Sequence, residues 1–126
     1  MRLRLEHVAE PPRTPVSRFV HAPLDGAPHN ASRFEPPFPA PVPGKGYPFW
    51  ILEHRGHELF FASPEEMAHV AEVLGARVMK RPRELGLAQS AVNSHWLSRV
   101  DKAWLSWKVR QGIVSRLRDE LARLGR

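Results

Sequence analysis

The chain has 126 residues, carries 19 Lys and Arg against 13 Asp and Glu for a formal net charge of +6, and contains no cysteine. Disulfides and thiolate metal sites are therefore excluded, and no apolar run approaches the roughly 20 residues that a membrane-spanning helix needs. The opening Met1-Arg2-Leu3-Arg4-Leu5-Glu6-His7 lacks the unbroken apolar stretch of a secretory signal, and the proline density after it opposes an amphipathic transit peptide. A cytoplasmic protein is expected.

Residues 1–46 read as a Pro-rich arm, extended or disordered. Ten prolines lie between Pro11 and Pro43, ending in Pro36-Pro37-Phe38-Pro39-Ala40-Pro41-Val42-Pro43-Gly44, and such a stretch loses backbone donors and favours polyproline II over helix or ladder. Phe19, Val20, Phe34 and Phe38 are too sparse for a core. They suit anchors for an arm lying along a partner or along its own domain. Deleting residues 1–44 is accordingly expected to leave the thermal transition nearly unchanged.

Residues 47–126 read as a small α+β domain: a β-hairpin followed by three to four helices, the last long and amphipathic. Pro48 to Leu52 and Leu59-Phe60-Phe61-Ala62 are β-prone runs on either side of His54-Arg55-Gly56-His57. With Arg55 and Gly56 as a two-residue loop, Leu52 faces Leu59, Ile51 faces Phe60 and Trp50 faces Phe61, so both faces of the ribbon are apolar and need cover. The same register sets Glu53 against Glu58, a like-charge pair that speaks for a bulged loop instead. Ser63-Pro64-Glu65-Glu66 is a helix start with a cap, Pro at the first position and a capping-box acid. Met67, Val70, Ala71 and Leu74 then follow at one-face spacing, and Gly75 suits a left-handed stop. Residues 76–80 fit a short strand or a connection, 82–88 a brief helix broken by Gly86, and Asn93-Ser94 a further cap.

Asp101 is the expected cap of the terminal helix, whose stripe is Leu105, Val109, Ile113, Leu117, Leu121 and Leu124. Residues 76–126 hold twelve Lys and Arg against four Asp and Glu, and three of the four Trp. Phosphate neutralisation and stacking need those two residue types side by side. The candidate nucleic-acid-binding residues are Lys102, Trp104, Trp107, Lys108, Arg110, Arg116, Arg118 and Arg123. Arg110 lies nearer the apolar side and has to snorkel. Trp104 falls in the polar arc, and average Trp burial favours a structural role for it, with the cations around it carrying the binding.

The run Gly46-Tyr47-Pro48-Phe49-Trp50-Ile51-Leu52-Glu53-His54-Arg55-Gly56-His57, then Phe61-Ala62-Ser63 with Glu66, and later Asn93-Ser94-His95-Trp96-Leu97-Ser98-Arg99 resembles short uncharacterised accessory proteins of bacterial phages and integrative mobile elements. The likeness covers residues 46–115. It implies a mobile-element setting and a non-enzymatic partner, a nucleic-acid binder or an inhibitor of host defence.

Three constellations of reactive residues are weak. His54 and His57 flank a turn and want His69 or Glu58 as a further ligand before they make a zinc site. His69 with Glu66 resembles a nuclease pair only superficially, in an acidic block that repels phosphodiesters. Ser94-His95 are chain neighbours, whereas nucleophile and base meet through a fold. No catalytic residue, cofactor or metal is expected. The function expected is a basic, non-enzymatic module that binds nucleic acid or a nucleoprotein complex. The alternative is a protein-interaction or host-defence inhibitor module whose Pro-rich arm and apolar hairpin dock on a host protein.

Overall fold

The computed structural model describes residues 1–27, 31–77 and 96–125. In chain order they form β1 (Arg2–Val8), a 3-10 turn (Ser17–Phe19), β2 (Ala22–Pro23), β3 (Phe34–Glu35), β4 (Tyr47–His54), β5 (His57–Phe61), α1 (Pro64–Gly75), 3-10 turns at Trp96–Arg99 and Lys102–Trp104, and α2 (Trp107–Arg123). A hairpin followed by three to four helices behind an extended arm is thus corrected. Among the described residues there are two α-helices, a three-stranded sheet in the order β1-β4-β5 and a separate two-stranded ribbon, β2-β3. The expected elements at 78–80, 82–88 and 93–94 lie outside the described residues.

β1 is the main source of the difference. Its Leu-Arg-Leu alternation is that of a half-buried strand, and the apolar β4 would otherwise leave a ladder edge unpaired. Leu3 pairs with Leu52 and Leu5 with Trp50 in an antiparallel register. The end of β1 and the residue before β4 approach closely at Gly46, where φ is +109° and an added Cβ would stand 2.3 Å from the Val8 carbonyl oxygen. Deletion of residues 1–44 therefore removes a strand of the sheet.

The hairpin takes the two-residue loop. Arg55 and Gly56 have φ of 54° and 79°, the pair of positive values that a type I′ turn demands, and Trp50↔Phe61, Ile51↔Phe60 and Leu52↔Leu59 are in register. Glu53 does face Glu58. Arg4 resolves the conflict from the neighbouring strand: its guanidinium is 3.8 Å from Glu53, 3.3 Å from Glu58 and 2.8 Å from Glu6. The opposite face carries Trp50, Leu52, Leu59 and Phe61, all buried, and the helices cover it. Met67, Val70 and Leu74 of α1 and Ile113, Val114 and Leu117 of α2 join the same core, closed by Trp96 and Trp104. Fully burying each of these aliphatic side chains contributes about 1.5–3 kcal/mol. None of the described helices is long and apolar enough to cross a membrane.

The Pro-rich segment is fastened at the start of α1. Ser63 caps the helix, its Oγ accepting from the Glu66 N–H at 3.2 Å, with Pro64 next. Glu66 is fully buried. One of its oxygens accepts from the Ala62 N–H at 3.0 Å and the Thr14 hydroxyl at 2.6 Å, the other from the Ser17 hydroxyl at 2.9 Å. His21, also buried, holds Nε2 at 3.3 Å from that carboxylate and 2.7 Å from Ser63 Oγ. Its Nδ1 lies 2.6 Å from the Pro36 carbonyl, which can only accept, so the Nδ1 proton is assigned there. Burial opposes the imidazolium, but the bond to Glu66, the Pro36 carbonyl and the charges of Glu66 and Glu65 outweigh it and hold His21 above its ordinary pKa.

Two helix ends differ from expectation. Asp101 caps the 3-10 turn, accepting from the Ala103 N–H at 2.8 Å, and α2 starts later, with Ser106 accepting from the Val109 N–H at 3.3 Å. Gly75 is the last residue of α1 without a positive φ, and Ala76 after it is extended. No left-handed stop is needed, because a guanidinium from α2 satisfies the terminal carbonyls, as described next.

Candidate nucleic-acid interface

α2 packs antiparallel to α1, so its first turn meets the C-terminus of α1. Arg110, 6% exposed, lies there. Its Nη1 donates to the carbonyls of Leu74 at 3.1 Å and Ala76 at 2.7 Å, and its Nε to that of Leu105 at 3.1 Å. A cation at a helix C-terminus completes orphan acceptors and complements the dipole. Arg110 is thus a cap in the interior rather than a snorkelling surface cation.

Trp104 is likewise inside. It is 1% exposed, its indole N–H donates to the His54 carbonyl at 3.1 Å, and its ring meets the His54 imidazole edge-on at 6.1 Å. It pins the approach to α2 onto the hairpin turn. Trp107, by contrast, is 45% exposed, and the Arg110 guanidinium stands 5.0 Å from its ring centroid. The buried cation therefore holds the exposed indole in place from below.

The outer surface of α2 follows from the helical repeat. Taking Trp107 as the origin at 100° per residue, Arg118 lies at about 20°, Gln111 at about 40°, Ser115 at about 80° and Lys108 at about 100°. All five are exposed. No acid falls in this arc, since Asp119 comes at about 120° and Glu120 at about 220°. Trp107 and Arg118 are eleven residues apart, about 16 Å along the axis. Lys102 is exposed on the turn leading into α2, and Arg116 is half-buried at about 180°.

Arg123 is engaged elsewhere. It forms a two-pronged ion pair with Glu120, Nε to Oε1 at 3.0 Å and Nη2 to Oε2, and the indole N–H of Trp50 also donates to Oε2 at 3.1 Å. The Arg123 hydrogen bond, ahead of that of Trp50, keeps the Glu120 carboxyl below the usual range although burial works against it. Of the eight candidate residues, then, Lys102, Trp107, Lys108, Arg116 and Arg118 carry exposed surface without a carboxylate ion pair among the described residues. Gln111 and Ser115 were absent from the sequence-based set. Measuring the helical wheel from Trp107 rather than from the apolar stripe finds them.

The histidines are dispersed. His54 and His57 form the last cross-strand pair of the hairpin, with His57 Nε2 3.2 Å from Asp101. His69 accepts the Trp96 indole N–H at 3.0 Å, and burial pushes its pKa down. Among the described residues no group of three or more His, Asp or Glu is gathered as for a metal ion. No family model, curated protein or solved structure matches the chain.

Proposed function

We propose that this protein is a non-enzymatic binding module that holds nucleic acid, alone or within a nucleoprotein complex, along the outer face of α2. The observation that carries the reading is the exposed Trp107 at the head of a helical face that also presents Lys108, Gln111, Ser115 and Arg118, with Asp119 at its edge. Cations neutralise phosphate and release counterions, the indole offers a stacking platform, and the amide and hydroxyl add hydrogen bonds to backbone or base edges. The resemblance over residues 46–115 supports a mobile-element setting for this reading, and the composition a cytoplasmic one. An interaction module that offers its Pro-rich arm to a host protein draws less support, because Val16, Ser17, His21 and Phe34 are buried in the protein itself.

The test is fluorescence anisotropy with a labelled single-stranded oligonucleotide and its duplex at low salt. Trp107→Ala is expected to weaken single-strand binding by about 1–3 kcal/mol, the value of one base–aromatic stack. Undiminished affinity in Trp107→Ala, or no binding of either oligonucleotide by the unaltered protein, refutes the reading.

A further inference from the structure

The Pro-rich segment, folded back on α1, lines a half-open cavity of about 410 Å³ that the proposed function does not use. Arg13 and Arg18 stand at it, Thr14, Ser17 and His21 form its polar floor, and Phe34 and Phe38 wall it. No acid lines it. Its volume lies in the lower part of the range of small-molecule sites, which join apolar walls to a few convergent polar groups.

The Arg13 guanidinium lies 4.1 Å from the Phe38 ring centroid and 4.9 Å from that of Phe34, and the two rings meet edge to face at 5.0 Å. Behind Phe38, His21 stacks at 3.9 Å. The guanidinium is therefore preset by flat surfaces, and among the described residues it donates one hydrogen bond, to the Pro12 carbonyl at 3.3 Å. Its remaining donors suit a two-pronged grip on carboxylate or phosphate. The hydroxyls act in the opposite sense. Thr14 and Ser17 direct their hydrogens to Glu66 and accept the Val16 and Thr14 backbone N–H groups at 3.2 and 2.9 Å, so each keeps one lone pair, which favours a ligand that donates.

We infer that this cavity binds a small planar aromatic anion, with its carboxylate or phosphate on Arg13, its ring against Phe34 and the rim of Phe38, and an amino, hydroxyl or ring N–H donor toward Thr14 and Ser17. The inference stands apart from nucleic-acid binding by α2. The same chemistry has two sources, a mononucleotide or a small aromatic acid, and the two probes below separate them.

Isothermal titration of the full chain with adenosine 5′-monophosphate, 4-aminobenzoate and inorganic phosphate provides the test, alongside amide chemical shifts. Saturable binding of at least one aromatic anion is expected, with shifts centred on Thr14 and Ser17 and with phosphate alone at least tenfold weaker. The tighter of the two aromatic probes identifies the source. Arg13→Met keeps the stem and removes the charge, and is expected to weaken the aromatic anion about tenfold or more, as loss of a charge-assisted bond does. Phe38→Leu lowers affinity for both aromatic probes and leaves that for phosphate unchanged. Both variants retain the oligonucleotide affinity of the unaltered protein, so this result is independent of the α2 reading. No saturable binding of either aromatic anion up to about 10 mM, a ceiling near −3 kcal/mol, overturns the inference. So does full affinity in Arg13→Met, or phosphate binding as tight as that of the aromatic anions.

Discussion

Replacing Glu66 by Ala tests how the Pro-rich segment is held. The carboxylate is fully buried and serves four donors: the Ala62 N–H, the Thr14 and Ser17 hydroxyls and the His21 imidazolium. Removing one member of a buried charge pair costs about 3–5 kcal/mol, and each stranded neutral donor about 1–3 kcal/mol if it stays buried. They do not all stay buried, because the segment can lift away and hydrate, so its own docking energy caps the loss. A fall of about 3–5 kcal/mol in unfolding free energy is expected, a large share of the roughly 5–15 kcal/mol available to a domain. Urea titration followed by circular dichroism measures it, and limited trypsin digestion locates it, since cleavage after Arg13, Arg18 and Arg33 should accelerate before the helices are cut.

The pH dependence has a fixed sign. His21 has a folded pKa above its ordinary value, so its contribution is complete below about pH 6.5 and is lost as pH rises through the raised value. The unaltered protein should show this alkaline decline and Glu66→Ala should lack it. A loss under about 1 kcal/mol with unchanged trypsin sensitivity refutes the reasoning.

Three further substitutions probe other parts of the fold. Gly46→Ala forces a Cβ against the Val8 carbonyl at a φ of +109° and should lower stability by about 1–3 kcal/mol in urea, more than Gly44→Ala, whose Cβ meets nothing within 4 Å. Trp104→Ala should cost about 3–5 kcal/mol and Trp107→Ala less than about 1 kcal/mol, a contrast read from the same denaturation curves. Arg110→Met keeps the apolar stem but leaves the Leu74 and Ala76 carbonyls without their donor. It should lower stability by about 2–3 kcal/mol, and the folded fraction should bind oligonucleotide more weakly, because Trp107 loses the guanidinium beneath its ring.

The parts of this fold that were legible are those set by neighbours in the chain. The hairpin register follows from Arg55-Gly56 and the alternation around it, and α1 follows from Ser63-Pro64 and the Met67 to Leu74 spacing. β1 was missed although Leu3 and Leu5 alternate with charged residues, because its partner Leu52 stands far along the chain and no local signal pairs them. The case of Glu53 and Glu58 is similar: the like-charge pair is unfavourable for the hairpin alone and becomes tolerable only with Arg4 from β1. Proline density signals few ladder bonds, and the only strands that pair there among the described residues are the two-residue β2 and β3, yet Thr14, Ser17 and His21 order the segment through side chains, toward a carboxylate whose burial the sequence does not reveal. At the interface, the cation-rich end of the chain was visible. Which of those cations serve as caps and ion pairs depended on where α1 ends and where Glu120 points.

Binding of a polyanion by the outer face of α2 is tested most directly by the salt dependence of affinity. With Lys102, Lys108 and Arg118 on phosphates, the log–log slope of affinity against salt should be about −2 to −3, at about −0.7 to −0.9 per contact. Lys108→Gln with Arg118→Gln should make that slope shallower by about 1.4 to 1.8 with unchanged stability, since both side chains are exposed. A flat salt response in the unaltered protein, or a slope that the double substitution leaves untouched, contradicts the account.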